Sequence, residues 1–227
     1  QVFRVAKEAG FVASDVNLEH IAFGTMMGQD GKPFKTREGG TVKLIELLDE
    51  AVIKAKGTIK DKASYSDEEI EALAKIIGIG AVKYADLAIN RESNYIFNWD
   101  KMLSFEGNTS LYMQYAYARI QSIFRKYDGT LEGEIIIGDN LEHRLSTMLL
   151  RFEDVLNRAA VDAAPNQITT YLYDLVTLFM RFYEQNPILK EGVDEATKMS
   201  RLLLADLTAK TIKQGLQILG IQTVDKL

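Results

Sequence analysis

The sequence predicts a mainly α-helical protein in which a small α/β segment precedes a helical bundle. From residue 109 onward, apolar side chains recur at helical spacing, and this pattern predicts helices over about 109–127, 139–163, 166–186 and 194–219. Before that point, Tyr95, Phe97 and Trp99 alternate with Ile96 and Asn98, which is the two-residue period of a short strand. The boundary between the two parts is therefore expected near residues 100–108.

The segment before residue 60 mixes helix, strand and loop patterns. Residues 1–10 have the pattern of a helix that ends at Gly10, and residues 20–27 have the apolar content of a buried strand. Residues 28–40 are rich in glycine and charge, which predicts a loop. A helix is expected to begin at Thr41 and to end before a polar linker over residues 57–62.

The next helix has a clear start signal. Ser66 is a typical N-cap residue, and Glu69 three residues later completes a capping box. Gly78 and Gly80 are expected to break or kink this helix. Further along, Asn186-Pro187 predicts a break between helices, and Gly220 is expected to end the last helix.

The helix that follows Thr109, a predicted N-cap, divides into three faces when it is rotated by about 100° per residue. One face forms a core stripe of Met113, Ala116, Tyr117, Ile120, Ile123, Phe124 and Tyr127. A second face, with Gln114, Ala118, Gln121 and Arg125, is predicted to point to water. The third face combines aromatic rings with cations, a mixture that can stack unpaired bases and hold phosphates: Tyr112, Tyr115, Arg119, Ser122 and Lys126. The alternative is ordinary helix packing, with Arg119 in a salt bridge.

A second candidate site lies in the loop over residues 31–40. Lys32 and Lys35 are three residues apart, Thr36 follows directly, and glycines flank the group. Flexible backbone, clustered ammonium groups and a hydroxyl suit an anionic phosphate chain. The alternative is a solvated surface loop, because such loops often contain lysine and glycine.

Composition excludes several classes of function. The net charge of −5 argues against non-specific binding to nucleic acid, and the absence of cysteine excludes disulfides and thiolate chemistry. No apolar run approaches the roughly 20 residues that cross a bilayer, and the N-terminus has no signal-peptide pattern, so we expect a cytoplasmic protein. His20 and His143 are isolated, and no metal site is predicted.

Four separated blocks of sequence carry a family resemblance that extends from about residue 1 to residue 227. These blocks are residues 20–44, residues 99–119, the pair Tyr171–Leu175 and Arg181–Glu184, and residues 207–216. In this order they resemble the C-terminal part of bacterial arginyl-tRNA synthetases, which are class I enzymes. The resemblance implies that residues 1–105 belong to a Rossmann-type catalytic domain and its connecting segment, and that residues 106–227 form a helical anticodon-binding domain.

The resemblance gives the lysine loop a role. Lys32-Pro33-Phe34-Lys35-Thr36 occupies the place of the Lys-Met-Ser-Lys-Ser-type loop, which grips the ATP triphosphate during amino-acid activation. The implied catalytic residues are Lys35 and then Lys32, with Thr36 at the phosphates and Arg37 as a further candidate. ATP, arriving with Mg²⁺, and arginine are the implied small substrates. Met-Ser has become Pro-Phe here, so the match is degenerate.

The resemblance also implies contacts with arginine tRNA. The Tyr-x-x-Tyr-x-x-x-Arg pattern of the anticodon-binding helix corresponds to Tyr112, Tyr115 and Arg119, and Asn108 and Gln114 match the same motif as either contacts or structural residues. The family's chain end often closes the anticodon pocket with a methionine, whereas the last residue here is Leu227. The tyrosines at positions 171, 173 and 183 are expected to belong to the hydrophobic core and not to the RNA-binding site.

The sequence further predicts that this chain is a fragment and is inactive alone. It begins at Gln1 within a helical pattern, and it lacks the family's His-x-Gly-His-type signature. A monomer is expected. Two alternatives stay open at this point: a stand-alone helical RNA-binding or interaction module, and a helical scaffold without RNA contact.

Overall fold

The computed structural model describes residues 1–28, 30–33, 43–60 and 65–227, and within them the chain is mainly helical, as predicted. The first part contains helix α1 (Val2–Glu8), strand β1 (Met26–Met27), helices α2 (Leu44–Lys60) and α3 (Asp67–Leu87), strand β2 (Tyr95–Ile96) and the short helix α4 (Trp99–Met102). The bundle follows with α5 (Ser110–Phe124), α6 (Asn140–Leu150), α7 (Phe152–Val161), α8 (Asn166–Gln185) and α9 (Glu195–Ile218).

The two strands form a minimal parallel pair and are shorter than predicted. Met26 is paired with Tyr95 and Met27 with Ile96. The strand expected over residues 20–27 is confined to its last two residues, because Phe23 is 86% exposed and has no core to cover. The strand expected over residues 95–99 ends early, because the Asn98 side chain accepts a hydrogen bond from the Lys101 backbone N–H and so caps α4.

Helices α2 and α3 pack closely against each other, and two predictions about them are wrong. Residues 57–60 continue α2 in place of a polar linker, because Ala55 and Ile59 are buried and hold this end of the helix against α3. Helix α3 also runs unbroken through Gly78. A Cβ atom at Gly78 would lie 2.7 Å from the backbone carbon and oxygen of Ala51, so the glycine permits a close approach between the two helices.

The start of α3 confirms the predicted capping box. The Ser66 side chain accepts a hydrogen bond from the Glu69 backbone N–H, and the Ser66 backbone N–H donates to the Glu69 carboxylate. These hydrogen bonds to Ser66 lower the pKa of Glu69 from its ordinary value. The predicted N-cap Thr109 is also confirmed, because its hydroxyl accepts from the Tyr112 backbone N–H.

The bundle encloses the main core of the chain. Its largest fully buried side chains come from α5, α6, α8 and α9 and include Met113, Ile120, Leu145, Phe179 and Leu202. The single helix predicted over residues 139–163 is two helices, α6 and α7, which meet at Arg151. The break lets Leu145 of α6 and Ala159 of α7 both reach the same core.

A buried carboxylate joins α6 to α9. Glu142 is 2% exposed, and its Oε1 accepts a hydrogen bond from Arg201 Nε at 2.8 Å. Its other oxygen accepts from the Gly138 and Asp139 backbone N–H groups, and Asp139 in turn caps α6. Burial acts to raise the pKa of Asp139, but the hydrogen bonds from the Glu142 backbone and the Asn186 side chain outweigh it, and the pKa is lowered.

The segment after α9 returns across the molecule. Gly220 adopts a φ of 70°, a left-handed conformation that glycine accepts readily, and it ends the helix as predicted. Ile221 and Val224 are buried, and Leu227 packs against a cluster formed by α2, α3 and α5. No helix in residues 1–28, 43–60 and 65–227 combines the length and apolar character that a membrane span requires.

The close contact of α2 with α3 gives a stability prediction. We expect Gly78→Ala to lower the free energy of unfolding by about 1–3 kcal/mol, because the added methyl group would collide with the Ala51 backbone. Gly57→Ala is the matched control: Gly57 is an exposed helical glycine whose Cβ would meet no atom within 4 Å, so this variant should gain about 0.5–1 kcal/mol. Urea denaturation checks both, and equal effects at the two positions would contradict the explanation.

Candidate nucleic-acid interface

Helix α5 is surrounded on most of its circumference. The predicted core stripe is confirmed, with Met113, Ala116, Tyr117, Ile120 and Ile123 buried and Phe124 and Tyr127 packed at its edge. The prediction that Gln114 and Ala118 point to water is wrong, because they are 0% and 4% exposed. Their face is covered by Gly80 of α3 and by the segment after α9, which the pattern of α5 alone does not reveal.

The third face of α5 is partly exposed and carries the aromatic and cationic side chains. The Arg119 guanidinium lies over the Tyr183 ring, 5.1 Å from its centre, and its Nη1 donates to the Tyr115 hydroxyl at 3.5 Å. No carboxylate lies within ion-pair distance of Arg119 in the part of the chain that the structure describes. The salt bridge considered for Arg119 is therefore not formed there, and a tyrosine face orients the guanidinium instead.

Helix α8 completes this surface with two tyrosines. The Tyr173 ring lies 6.2 Å from the Tyr112 ring, and Tyr183 lies beneath Arg119. The expectation that the tyrosine cluster of α8 is core holds for Tyr171, which is 4% exposed, but Tyr173 and Tyr183 stay partly exposed. The sequence of α8 predicts part of this difference in burial. Residues two apart, such as Tyr171 and Tyr173, lie about 200° apart around a helix, so they cannot share one face.

We call the set Tyr112, Tyr115, Arg119, Tyr173 and Tyr183 the aromatic strip. Partial burial raises the pKa of the Tyr112 hydroxyl, which is neutral near pH 7. The strip therefore presents ring faces, hydroxyls and one oriented guanidinium. Ring faces and guanidinium planes stack on unpaired bases, and hydroxyls form hydrogen bonds with base edges.

Asn108 and Gln114, the other two predicted contacts, occupy structural positions outside the strip. Asn108 is exposed, and its Oδ1 is 2.6 Å from the buried Tyr84 hydroxyl, which is also 3.2 Å from the Thr169 carbonyl oxygen. Gln114 donates from Nε2 to the Gln222 carbonyl oxygen at 2.7 Å. Asn108 still has a surface that a ligand can reach, whereas Gln114 holds the segment after α9 against α5.

The lysine loop is only partly described. Lys32 is exposed, its carbonyl oxygen accepts a hydrogen bond from the Gly28 N–H at 2.7 Å, and its own N–H donates to Asp30 Oδ1 at 3.2 Å. A bridge between Met27 and Pro33 ties this turn to the end of β1. Lys35, Thr36 and Arg37 lie outside the described residues, as does the predicted helix start at Thr41.

Comparison with known families assigns the two parts of the chain to one class of protein. Residues 1–99 match the catalytic domain of class I tRNA synthetases of the arginine type, and residues 113–227 match the DALR anticodon-binding domain. These are parts of class I aminoacyl-tRNA synthetases. The chain belongs to the arginyl-tRNA synthetase family, and the anticodon-binding family covers its helical bundle.

Individual relatives and solved structures agree with this assignment. The chain is 53% identical to an arginine–tRNA ligase of Cellvibrio japonicus and 53% identical to one of Laribacter hongkongensis, matching over all of its length and over 40% of theirs. The chain therefore spans about two fifths of the length of these curated relatives. It is also similar to the arginyl-tRNA synthetase structures of Plasmodium falciparum (TM-score 0.81, 29% identity, 100% of this chain and 38% of that one) and Thermus thermophilus (0.82, 28%, 92% and 35%).

The position of Gln114 gives a prediction about the chain end. We expect Gln114→Ala to lower stability by about 1–3 kcal/mol, because it removes a buried side chain together with its hydrogen bond to the Gln222 carbonyl. Amide hydrogen exchange should accelerate selectively in residues 221–227, while α6 and α7 stay protected. The partly exposed Ser122 of the same helix, whose hydroxyl donates to the Arg119 carbonyl oxygen, supplies the control variant Ser122→Ala. Unchanged exchange at residues 221–227 in Gln114→Ala would contradict this role.

Proposed function

We propose that this chain serves as part of an arginine–tRNA ligase, the enzyme that activates arginine with ATP and transfers it to tRNA. In this proposal the bundle binds the anticodon loop of arginine tRNA through the aromatic strip. The lysine loop binds the triphosphate of ATP, which arrives with Mg²⁺. Use of ATP is implied by membership of the class I family.

The observation that carries the proposal is the Arg119 guanidinium held over the Tyr183 ring beside three further tyrosines. An arginine with no carboxylate partner among the described residues keeps its charge available for phosphate, and the Tyr183 ring holds this guanidinium in place before a ligand binds. Each base stacked on an aromatic side chain contributes about 1–3 kcal/mol. Stacking of two or three anticodon bases on the strip would therefore supply a substantial part of a specific binding energy.

Within the proposed role, Tyr112 and Arg119 are the first candidates for base contacts and Tyr115 the next. Tyr115 is partly turned toward Phe105, with their rings edge to face at 5.9 Å, which reduces the area it offers to a ligand. Asn108 is a candidate at the edge of the strip. Gln114, which is buried, acts in this proposal through the chain end that it holds.

The ATP role assigned to Lys35, Lys32 and Thr36 rests on their sequence pattern and on the family. Activation passes through negative charge shared by the phosphates, and cations that engage mainly in the transition state lower that barrier. The exposed position of Lys32 beside the end of β1 is compatible with such a role, because the carboxyl ends of parallel strands are where α/β domains bind ligands.

The same proposal includes the division of the chain at residues 105 and 106, a cytoplasmic location and a monomeric state. A stand-alone helical RNA-binding module is the second candidate. The aromatic strip is the observation that favours it, because all five of its side chains belong to α5 and α8 and none comes from the first hundred residues. The lysine loop and the match of residues 1–99 to a catalytic domain favour the ligase.

Anticodon discrimination tests the role of the strip. The 227-residue chain should bind arginine tRNA more tightly than the same tRNA with an altered anticodon, when both are titrated at one moderate salt concentration. Tyr112→Ala and Arg119→Ala should each remove about 1–3 kcal/mol of binding and most of the preference, because each deletes a stacking surface. Gln121→Ala, on a different face of the same helix, is the matched control. A preference that survives both substitutions would refute the role.

Activation by this chain alone is expected to be absent. Arginine-dependent exchange of pyrophosphate into ATP should not rise above background, because the arginine site and the other half of the ATP site lie upstream of this segment in the family. A full-length arginine–tRNA ligase run in the same assay is the positive control. Exchange that requires arginine and disappears in Lys35→Ala would show that the segment is catalytically complete.

A further inference from the structure

An open groove of about 580 Å³ lies between α6, α7 and α8, outside the set of predicted contacts. Three arginines line it from different elements: Arg144 from α6, Arg151 from the junction of α6 and α7, and Arg181 from α8. Residues so distant in sequence reach one groove only because α6 and α7 both pack against α8. We call this feature the arginine groove.

The three guanidinium groups of the arginine groove form no ion pair with the residues that the structure describes. Within residues 1–28, 30–33, 43–60 and 65–227, no carboxylate lies within ion-pair distance of the three guanidinium groups. Asp174 is the one acidic residue among the described residues that line the groove, and all four charged side chains are exposed. A chain of net charge −5 therefore keeps a local surplus of positive charge here.

The wall of the groove also contains a polar atom without a partner. Asn166 Oδ1 is buried and forms no hydrogen bond with the described protein atoms. A buried polar atom without a partner costs about 1–3 kcal/mol, so a surface that keeps one beside a cationic groove is suited to a hydrogen-bonding ligand. Asn166 also begins the 20-residue helix α8, whose N-terminus has no side-chain cap and favours negative charge.

The arginine groove is continuous with the aromatic strip. Tyr173 belongs to both, because it lines the groove and its ring lies 6.2 Å from that of Tyr112. A strand whose bases stack on Tyr112 and Tyr173 would lead its sugar–phosphate backbone toward the three guanidinium groups. Planar guanidinium forks match phosphate oxygens bidentately, which lysine cannot do.

We propose that the arginine groove is a binding site for RNA backbone phosphates, which positions the strand whose bases contact the aromatic strip. This inference rests on the proposed function and adds a division of labour to it. The strip distinguishes bases, whereas the groove supplies affinity that does not depend on sequence. The groove therefore governs the salt dependence of binding, and the strip governs the preference for the anticodon.

The test measures the binding constant of the 227-residue chain for both tRNAs over a series of salt concentrations. Arg144→Gln, Arg151→Gln and Arg181→Gln should each weaken binding of the two tRNAs equally, by roughly fivefold. Each should also make the slope of log K against log salt shallower by about 0.7–0.9, the value for one lost phosphate contact. Arg181→Lys should restore the slope, because it restores the charge.

Lys213→Gln removes one exposed positive charge from α9, outside the groove, which forms no ion pair with the described residues, and it should leave the slope unchanged. The inference is overturned if the arginine variants keep the parent slope, if they lose affinity without a change of slope, or if the parent chain shows no salt-dependent binding. Failure of the proposed function has a different signature, because Tyr112→Ala and Arg119→Ala would then leave the anticodon preference intact while the groove variants still alter the slope.

Discussion

The burial of helix α5 is the constraint on which the rest of the structure depends. Helices α3, α8 and α9 and the segment after α9 all pack against it, so the helix has a single partly open face. A side chain on that face is held by its neighbours, and the position of Arg119 over Tyr183 is an example. A stacking surface needs this rigidity, because a ring that must be ordered during binding loses side-chain entropy at that moment.

The same burial joins the α/β part of the chain to the bundle. The buried Tyr84 hydroxyl of α3 contacts both Asn108 before α5 and the Thr169 carbonyl of α8. Arg91 donates to the carbonyl oxygens of Ala22 and Ala163, which belong to the two parts of the chain. Lys83 donates to the Gly220 carbonyl at the end of α9. These contacts cross the predicted boundary near residue 105, so the two parts are packed as one body, although the sequence pattern changes there.

Periodicity and capping signals predicted most of the helices. The features that they did not predict depend on contacts between residues far apart in the sequence. The caps at Ser66 and Thr109 and the end at Gly220 depend on neighbouring residues, which a sequence shows directly. Gly78 was expected to break α3, yet its role depends on the backbone of Ala51, a distant residue.

For the candidate site, the pattern of α5 identified Tyr112, Tyr115 and Arg119. The contribution of Tyr173 and Tyr183 depends on how α8 packs, and Lys35 and Thr36 lie outside the described residues.

The charge balance explains why an acidic chain can still hold RNA in the proposed way. Several cations are neutralised locally, such as Arg201 by the buried Glu142 and Lys210 by Asp206, so they add little to the field around the protein. Exposed charges farther away than a Debye length of about 8 Å are screened at physiological salt. An approaching phosphate therefore senses mainly the unpaired arginines beside it, and the net charge of −5 has little influence at that distance. In the proposed arrangement selectivity follows because a strand placed along the strip and the groove gains both stacking and charge.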